Sequence, residues 1–185
     1  MPTVITHALL PLIGAAAVPQ ARLTRPLIMV GMAAAMLPDA DLVSRWFGVP
    51  HAADFGHRGA THTLLFALLI GGAAALCFRK RRLSAFLFVM LSNLSHSLAD
   101  MLTGGGKGIM LLWPMDHERW KFLVHPVQVS PIGLQGFESG AIWPVFASEL
   151  MWLLLPAVLL AAFLRFTAKS VAARPGVIDS GGKPT

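Results

Sequence analysis

The chain has 185 residues, of which 55% are hydrophobic and 13% are charged, and its mean hydropathy is +0.65. Soluble domains carry about 25% charged residues, so this composition excludes an ordinary soluble domain and predicts a small integral membrane protein. The single cysteine, Cys77, excludes an internal disulfide and a thiolate-rich zinc finger. The net charge of +6 fits membrane orientation better than nucleic-acid binding, so we expect no nucleic-acid partner.

Five apolar stretches predict an all-α, polytopic membrane bundle of about five hydrophobic helices. The first two are shorter than the ~20 residues of a straight span, so they are short spans, tilted helices or a re-entrant pair. Pro144 and Pro156 are expected to bend the fifth. We expect one domain over residues 1–168 and a disordered cytoplasmic tail over 169–185, which is rich in Ser, Gly and Pro. The five stretches are 7–18, 26–37, 63–78, 83–102 and 141–166.

Lysine and arginine lie unevenly between the stretches, and this predicts the orientation. Ten fall between stretches one and two, between three and four, or after five, and five fall on the opposite side. Because cytoplasmic loops carry the excess of basic residues, the chain should begin outside and end in the cytoplasm. Loops 39–61 and 103–140 are then external. Long loops often wall functional sites, and eight of the nine acidic residues fall on this side.

Seven ionisable side chains fall at the outer ends of the stretches. Ionisable groups at membrane depth are costly and usually functional. Imidazoles and carboxylates are the ligands of zinc, and they also admit manganese or iron. The pattern predicts a centre of one, two or more divalent ions, zinc first. Its candidate ligands are His7, Asp39, Asp41, His57, His62, His96 and Asp100.

His96 and Asp100 are four residues apart, which places both on one face of a helix. They can bind one metal or bridge two, or they can form a buried pair in which the carboxylate holds the imidazole. Asp39 and Asp41 follow Pro38, which should end the preceding helix and leave an extended segment. One Asp would then be a ligand, and the other would support a histidine or act as a general base. The alternative is that both only solvate a helix end.

The segment from His57 to His62 opens the third stretch. Gly59 permits a turn, and Thr61 is the expected helix cap. Arg58 has the forked donor geometry that holds a phosphate, so we expect it to stabilise charge in catalysis. The alternative is a polar loop with one interfacial histidine. His7 is a candidate only because its predicted position is level with the other six residues. Glu149 is expected either to support a ligand or to lie at the membrane interface. His51, His117 and His125 are not expected to be ligands.

These motifs resemble the YdjM-like family of bacterial inner-membrane proteins, described as LexA-regulated, membrane-bound metal-dependent hydrolases. The resemblance covers residues 1–140 and rests on His7 and four segments. It implies a metal-dependent hydrolase of the inner membrane. The order of histidines and aspartates is also similar to that of zinc-dependent phospholipases C and nucleases, although no later His-x-x-x-Glu is present. The segments are 37–41 (Leu-Pro-Asp-Ala-Asp), 56–62 (Gly-His-Arg-Gly-Ala-Thr-His), 96–103 (His-Ser-Leu-Ala-Asp-Met-Leu-Thr) and 112–114 (Leu-Trp-Pro).

The sequence therefore predicts a hydrolase with its site at the outer membrane–water boundary. The metal would activate water, Asp39 or Asp41 would be the general base, and Arg58 would hold a phosphate oxygen. An amphiphilic substrate, such as a lipid-linked phosphoester, suits this position. The alternatives are a metal or proton transporter, which needs an ionisable path to the cytoplasmic side, and a non-enzymatic protein with a closed structural metal site.

Overall fold

The computed structural model describes residues 1–19, 22–131 and 139–172. Within these ranges the regular structure is helical, with two isolated bridging pairs and no strand. The predicted all-helical class is thus confirmed for the described residues. A π-helical segment, Leu150–Leu154, joins the last two helices, so both belong to the fifth predicted stretch. The α-helices are α1 (Val4–Ala17), α2 (Arg25–Met36), α3 (Leu64–Cys77), α4 (Arg82–Met101), α5 (Ile142–Glu149) and α6 (Leu155–Ala172).

The expected extended segment after Pro38 is wrong, because α2 passes directly into a 3-10 helix, Leu37–Phe47. The proline is tolerated because it lies in the first turn of this helix, where a missing N–H costs little. As a result Arg25–Phe47 forms one helical segment of 23 residues with mean hydropathy 1.5. This segment and Ile142–Ala168, with 27 residues and mean hydropathy 2.0, are long and apolar enough to cross a membrane.

Helix α4 lies at the centre of the bundle. It packs against α1, α2 and α3, and α1 also packs against α2 and α6. Gly71 makes the approach of α3 to α4 possible, because a Cβ there would lie 2.9 Å from the carbonyl oxygen of Phe86. Gly31 of α2 meets Phe88 and Ser92 of α4 in the same way. Small residues at such crossings let helix backbones come close.

The bundle is apolar outside and polar inside at one end. Large apolar side chains over 60% exposed occur on α3, α4 and α6. In contrast, polar side chains of α1 and α4, including His7, Asn93 and His96, are fully buried. This distribution is typical of helices surrounded by hydrocarbon. The exposed apolar residues include Leu69, Leu76, Leu83, Leu159 and Phe163.

The connection between α4 and α5 covers the end of the bundle where α1 begins. Its Ile109, Met110 and Val127 are buried, and the Met110 N–H donates to the Arg58 carbonyl over 3.1 Å. The predicted second loop thus contacts the segment before α3, while residues 132–138 lie outside the described part. Helix α6 continues to Ala172, past the expected domain end at 168, and the rest of the predicted tail, 173–185, is also outside the described residues.

Candidate metal centre

The seven predicted ligand residues meet at one end of the bundle. None exposes more than 8% of its surface. They come from four elements that are far apart in the sequence and are brought together by packing around α4. The elements are α1 (His7), the 3-10 helix (Asp39 and Asp41), the segment before α3 (His57 and His62) and the end of α4 (His96 and Asp100).

Two histidines of the cluster face each other through their Nε2 atoms. His96 Nδ1 lies 2.8 Å from the Ala35 carbonyl oxygen, and His62 Nδ1 lies 3.2 Å from Asp41 Oδ2. Both partners are acceptors, so in each neutral ring Nδ1 carries the proton and Nε2 carries the lone pair. The two Nε2 atoms are only 3.1 Å apart. A cation at this point, a proton or a metal ion, relieves the repulsion between them.

The donor atoms divide into two groups of three. One contains His7, His96 and Asp100, and the other contains Asp39, His57 and His62; in each group the three donor atoms lie within 4.8 Å of one another. The two groups adjoin, because His62 and His96, whose Nε2 atoms are 3.1 Å apart, belong to different groups. All six residues are buried. Each group supplies nitrogen and oxygen donors in the number that catalytic zinc sites take from protein.

Several donor atoms in these groups have no hydrogen-bond partner. They are both ring nitrogens of His7, both carboxylate oxygens of Asp39 and Oδ1 of Asp100. Buried polar atoms are almost always paired, so each unpaired one requires an explanation. The cluster places three buried carboxylates beside one guanidinium, that of Arg58, and four imidazoles, and Asp39 Oδ1 lies 3.4 Å from His96 Nε2. Buried charge of this kind is stable only with a compensating cation.

Asp41 supports the histidines and does not face the unpaired donors. Its Oδ1 accepts from His57 Nδ1 over 2.7 Å, and its Oδ2 accepts from the Thr61 hydroxyl over 2.8 Å and from the Arg58 N–H over 3.1 Å. A carboxylate bound to Nδ1 orients an imidazole and presents its Nε2 to a metal. The predicted capping role of Thr61 is wrong: Thr63 caps α3 by accepting from Phe66 N.

Arg58 is buried and bonded within the protein. Its Nε donates to Asp100 Oδ2 over 2.8 Å, and its terminal nitrogens donate to the Gly105 carbonyl and the Thr103 hydroxyl over 2.6 and 3.0 Å. Its φ of 65° is unusual for a residue with a side chain. The guanidinium therefore fixes one oxygen of Asp100 and leaves Oδ1 towards His7, 3.7 Å from His7 Nε2.

Burial favours the metal-binding form of His62. This residue lies in the short 3-10 helix before α3, and burial lowers the pKa of its imidazole below the ordinary value of 6.5. Hydrogen bonding to Asp41 opposes this shift but is the smaller effect. The ring is therefore neutral at neutral pH, and a neutral imidazole is the form that binds a metal.

The comparison with known proteins agrees with the motifs that line this centre. The chain matches the family described as YdjM inner membrane protein over residues 1–172. It belongs to the YdjM family. The predicted resemblance is confirmed, and the match includes all seven clustered residues.

Two YdjM-family relatives from Escherichia coli K12 are similar over different lengths. Inner membrane protein YbcI is 41% identical over 171 residues, which is 89% of this chain and 97% of YbcI. Inner membrane protein YdjM is 39% identical over 115 residues, which is 54% of this chain and 53% of YdjM. The YdjM protein of Shigella flexneri has the same identity and coverage. No solved structure matches this YdjM-family chain significantly.

Glu149 is the polar residue of the centre whose role the sequence left open. It is buried in α5 and accepts hydrogen bonds from the backbone N–H of Thr3 and from the hydroxyls of Thr3 and Thr6, at 2.8 and 2.7 Å. A carboxylate at a helix N-terminus satisfies free N–H groups and is favoured by the helix dipole. Glu149 thus anchors the turn of α1 that carries His7.

The remaining histidines lie outside both groups of donors. His117 is 63% exposed and lies 3.3 Å from Asp54. His51 packs edge-on against the His57 ring at a centroid distance of 5.2 Å. His125 takes part in neither group of donors.

Proposed function

We propose that this YdjM-family protein is a metal-dependent hydrolase of the bacterial inner membrane that cleaves a phosphoester of an amphiphilic substrate. The observation that carries the proposal is the buried cluster in which two imidazole Nε2 atoms lie 3.1 Å apart, beside carboxylate oxygens that have no hydrogen-bond partner. Such a cluster costs stability unless a cation compensates it. Proteins keep costly arrangements of this kind chiefly at functional sites.

The donors fit zinc best, with manganese or iron as alternatives. Nitrogen and oxygen donors without sulfur suit all three metals. Two adjoining groups of three donors support two ions, one held by His7, His96 and Asp100 and one by Asp39, His57 and His62. A purely structural metal would occupy one closed site with four protein ligands, so two groups of three favour a catalytic centre with open positions.

The reaction is the transfer of a phosphoryl group to water. Bound divalent ions lower the pKa of water and polarise a phosphoryl oxygen. Asp39, both of whose oxygens lack a hydrogen-bond partner, would hold a metal with one oxygen and accept a proton from water with the other. The water oxygen would form a bond to phosphorus as the P–O ester bond breaks, and the leaving oxygen would take the proton that Asp39 accepted.

Asp41 and Arg58 act by holding other groups in place. The two oxygens of Asp41 already accept several hydrogen bonds, so it orients His57 and His62 rather than removing a proton. Arg58 uses three nitrogens within the protein, so it holds Asp100 rather than the phosphate. The role of Arg58 differs from the phosphate-binding role expected from sequence, whereas Asp41 takes the histidine-supporting role that the sequence had left open between Asp39 and Asp41.

The proposed membrane orientation places the centre on the periplasmic side. The names of YbcI and YdjM place those proteins in the inner membrane, and the ten basic residues on one side of the apolar stretches support a cytoplasmic C-terminus. The partly open edge of the cluster lies at Asp39, Asp41 and His57, which are 6–8% exposed. An amphiphilic substrate reaches this edge from the membrane–water boundary.

A transporter is the weaker reading of the same residues. It requires ionisable groups along a path through the bundle. Among the described residues, the buried ionisable side chains lie in or beside the centre: the seven clustered residues, Arg58 and Glu149. Further along α4, towards its start, the buried polar side chains are the neutral Asn93 and Ser92.

The proposal is tested by turnover of phosphoesters with the purified protein. The zinc-loaded and manganese-loaded protein is assayed on soluble phosphomonoesters and phosphodiesters and on short-chain phospholipids. We expect metal-dependent turnover that falls about 100-fold or more in Asp39→Asn, because a general base and ligand is lost. Asp54→Asn is the matched control, since the 40% exposed Asp54 side chain lies outside the cluster. Absence of turnover with every substrate and both metals contradicts the proposal.

A further inference from the structure

An apolar cavity of 280 Å³ lies beside the metal centre, between the start of α1, the 3-10 helix and α5. Its volume is close to that of small ligand pockets, which begin at about 300 Å³. The side chains that line it carry no charge, and Met1, which bears the terminal ammonium of the chain, is also among the lining residues. Apolar contributions come from Pro2, Val4, Ile5, Leu42, Ile142 and Phe146.

The wall of the cavity is continuous with the elements that hold the ligands. Thr3 lines it, and its carbonyl accepts from the N–H of His7 over 3.2 Å. Leu42 also lines it and directly follows Asp41 on the 3-10 helix. A molecule can therefore have one part in the cavity and another part at the cluster, about one helical turn away.

We propose that this cavity holds the hydrocarbon chain of the substrate, so that the substrate is a phosphoester with a lipid tail. The inference rests on the proposed hydrolase function and names its substrate class. The proposed metal centre, next to a largely apolar cavity, complements a molecule that has an anionic head and an apolar tail. A water-soluble sugar phosphate would not fill the cavity, because the lining offers few polar groups to its hydroxyls.

The cavity predicts a dependence on chain length. Each methylene that leaves water contributes about 0.8 kcal/mol, which corresponds to about fourfold in kcat/KM. Turnover of monomeric short-chain phosphoesters should therefore rise about fourfold per methylene and level off when the cavity is full. The chain lengths are compared below their micelle-forming concentrations, so that each substrate reaches the site as single molecules.

Two tryptophan variants of α1 separate the cavity from the surrounding lipid surface. Val4 lines the cavity and Leu12 does not, and each is 43% exposed. We expect Val4→Trp to lose at least tenfold in kcat/KM on the longest substrate while its turnover of a chainless phosphodiester stays within twofold of wild type. Leu12→Trp should behave like wild type on both. If, for each substrate, the two variants and wild type have equal turnover, the cavity inference is overturned and the hydrolase proposal is unaffected.

A photochemical measurement tests the cavity without any turnover. A lysophosphatidic acid with a diazirine near the end of its chain is cross-linked to the protein in lipid nanodiscs, and the adducts are mapped by mass spectrometry. We expect adducts concentrated at the cavity residues and reduced at least fivefold in Val4→Trp but not in Leu12→Trp. Adducts that follow exposure alone, on Leu159 and Phe163 as much as on the cavity, overturn the inference. Concentrated cavity adducts from a protein without phosphoesterase activity contradict the hydrolase proposal alone.

Discussion

At the scale of single residues, the difference between Asp39 and Asp41 decides the chemistry. They are two positions apart and both buried, yet Asp41 is fully engaged by neighbours and Asp39 has no hydrogen-bond partner. The sequence predicted that one would ligate and the other support a histidine. It could not assign the roles, because they depend on partners such as Thr61 and on an unexpected 3-10 helix.

Replacing Asp39 with asparagine should change stability in opposite directions with and without metal. In the metal-free protein the change removes a buried carboxylate that has no hydrogen bond and only the His96 imidazole, 3.4 Å away, to oppose its charge, so we expect the free energy of unfolding to rise by about 1–3 kcal/mol. With zinc the wild type should be the more stable, because it alone binds the ion fully. Thermal unfolding in detergent, with zinc or with a chelator, measures both. The free energy of unfolding of Asp54→Asn should stay within about 0.5 kcal/mol of the wild-type value in both conditions. If metal-free Asp39→Asn is less stable than metal-free wild type, the proposed role of Asp39 is contradicted.

Glu149 shows why some site residues are hidden from sequence reasoning. Its hydrogen-bond partners, Thr3 and Thr6, are 146 and 143 positions away. The sequence placed Glu149 in an apolar stretch, which marks it as unusual, and the two threonines beside His7 were a weak signal of a helix start. No local pattern joins these signals, because the contact is created by packing α5 against the start of α1.

At the scale of elements, apolar runs locate the helices well and their irregularities poorly. The first, third and fourth predicted stretches differ from α1, α3 and α4 by no more than three residues at either end. Two departures lie next to prolines. The helix continues as a 3-10 helix after Pro38, and a π-helical segment precedes Pro156, since the hydrogen bonds that proline removes are accommodated by changed helical geometry.

The crossing of α3 and α4 offers a test with two adjacent glycines. A Cβ on Gly71 would lie 2.9 Å from both the Phe86 carbonyl and Met90, whereas a Cβ on Gly72 would meet nothing within 4 Å. We expect Gly71→Ala to lower the free energy of unfolding by about 1–3 kcal/mol through overpacking. Gly72→Ala should be neutral or stabilise by up to about 1 kcal/mol through helix propensity. Equal unfolding temperatures for the two variants would show that the helices do not pack this closely.

At the scale of the whole molecule, a polar cluster lies at one end of an otherwise apolar bundle. Composition alone predicted a membrane protein, and the basic residues predicted its orientation. The apolar cavity beside the cluster was not predictable, because its walls come from α1, the 3-10 helix, α5 and the loop before it. The sequence shows which residues are apolar but not which gaps remain between them.

Orientation can be measured by labelling single cysteines in cells. The native Cys77 is first replaced by serine, and Met115→Cys or Lys80→Cys is then added; both positions are exposed, at opposite ends of the bundle. A membrane-impermeant maleimide should label Met115→Cys in spheroplasts and Lys80→Cys only after permeabilisation. The reverse pattern would place the centre in the cytoplasm and contradict the proposed orientation.

The most direct test of the central claim is the metal content of the purified protein. Wild type, His96→Ala and His117→Ala are reconstituted with zinc or manganese and analysed for bound metal by elemental analysis. We expect one to two equivalents in wild type and in His117→Ala, whose histidine is 63% exposed and outside the cluster, and a loss of at least one equivalent in His96→Ala. A wild-type protein without bound metal, or equal metal in all three proteins, would contradict a metal centre at this cluster.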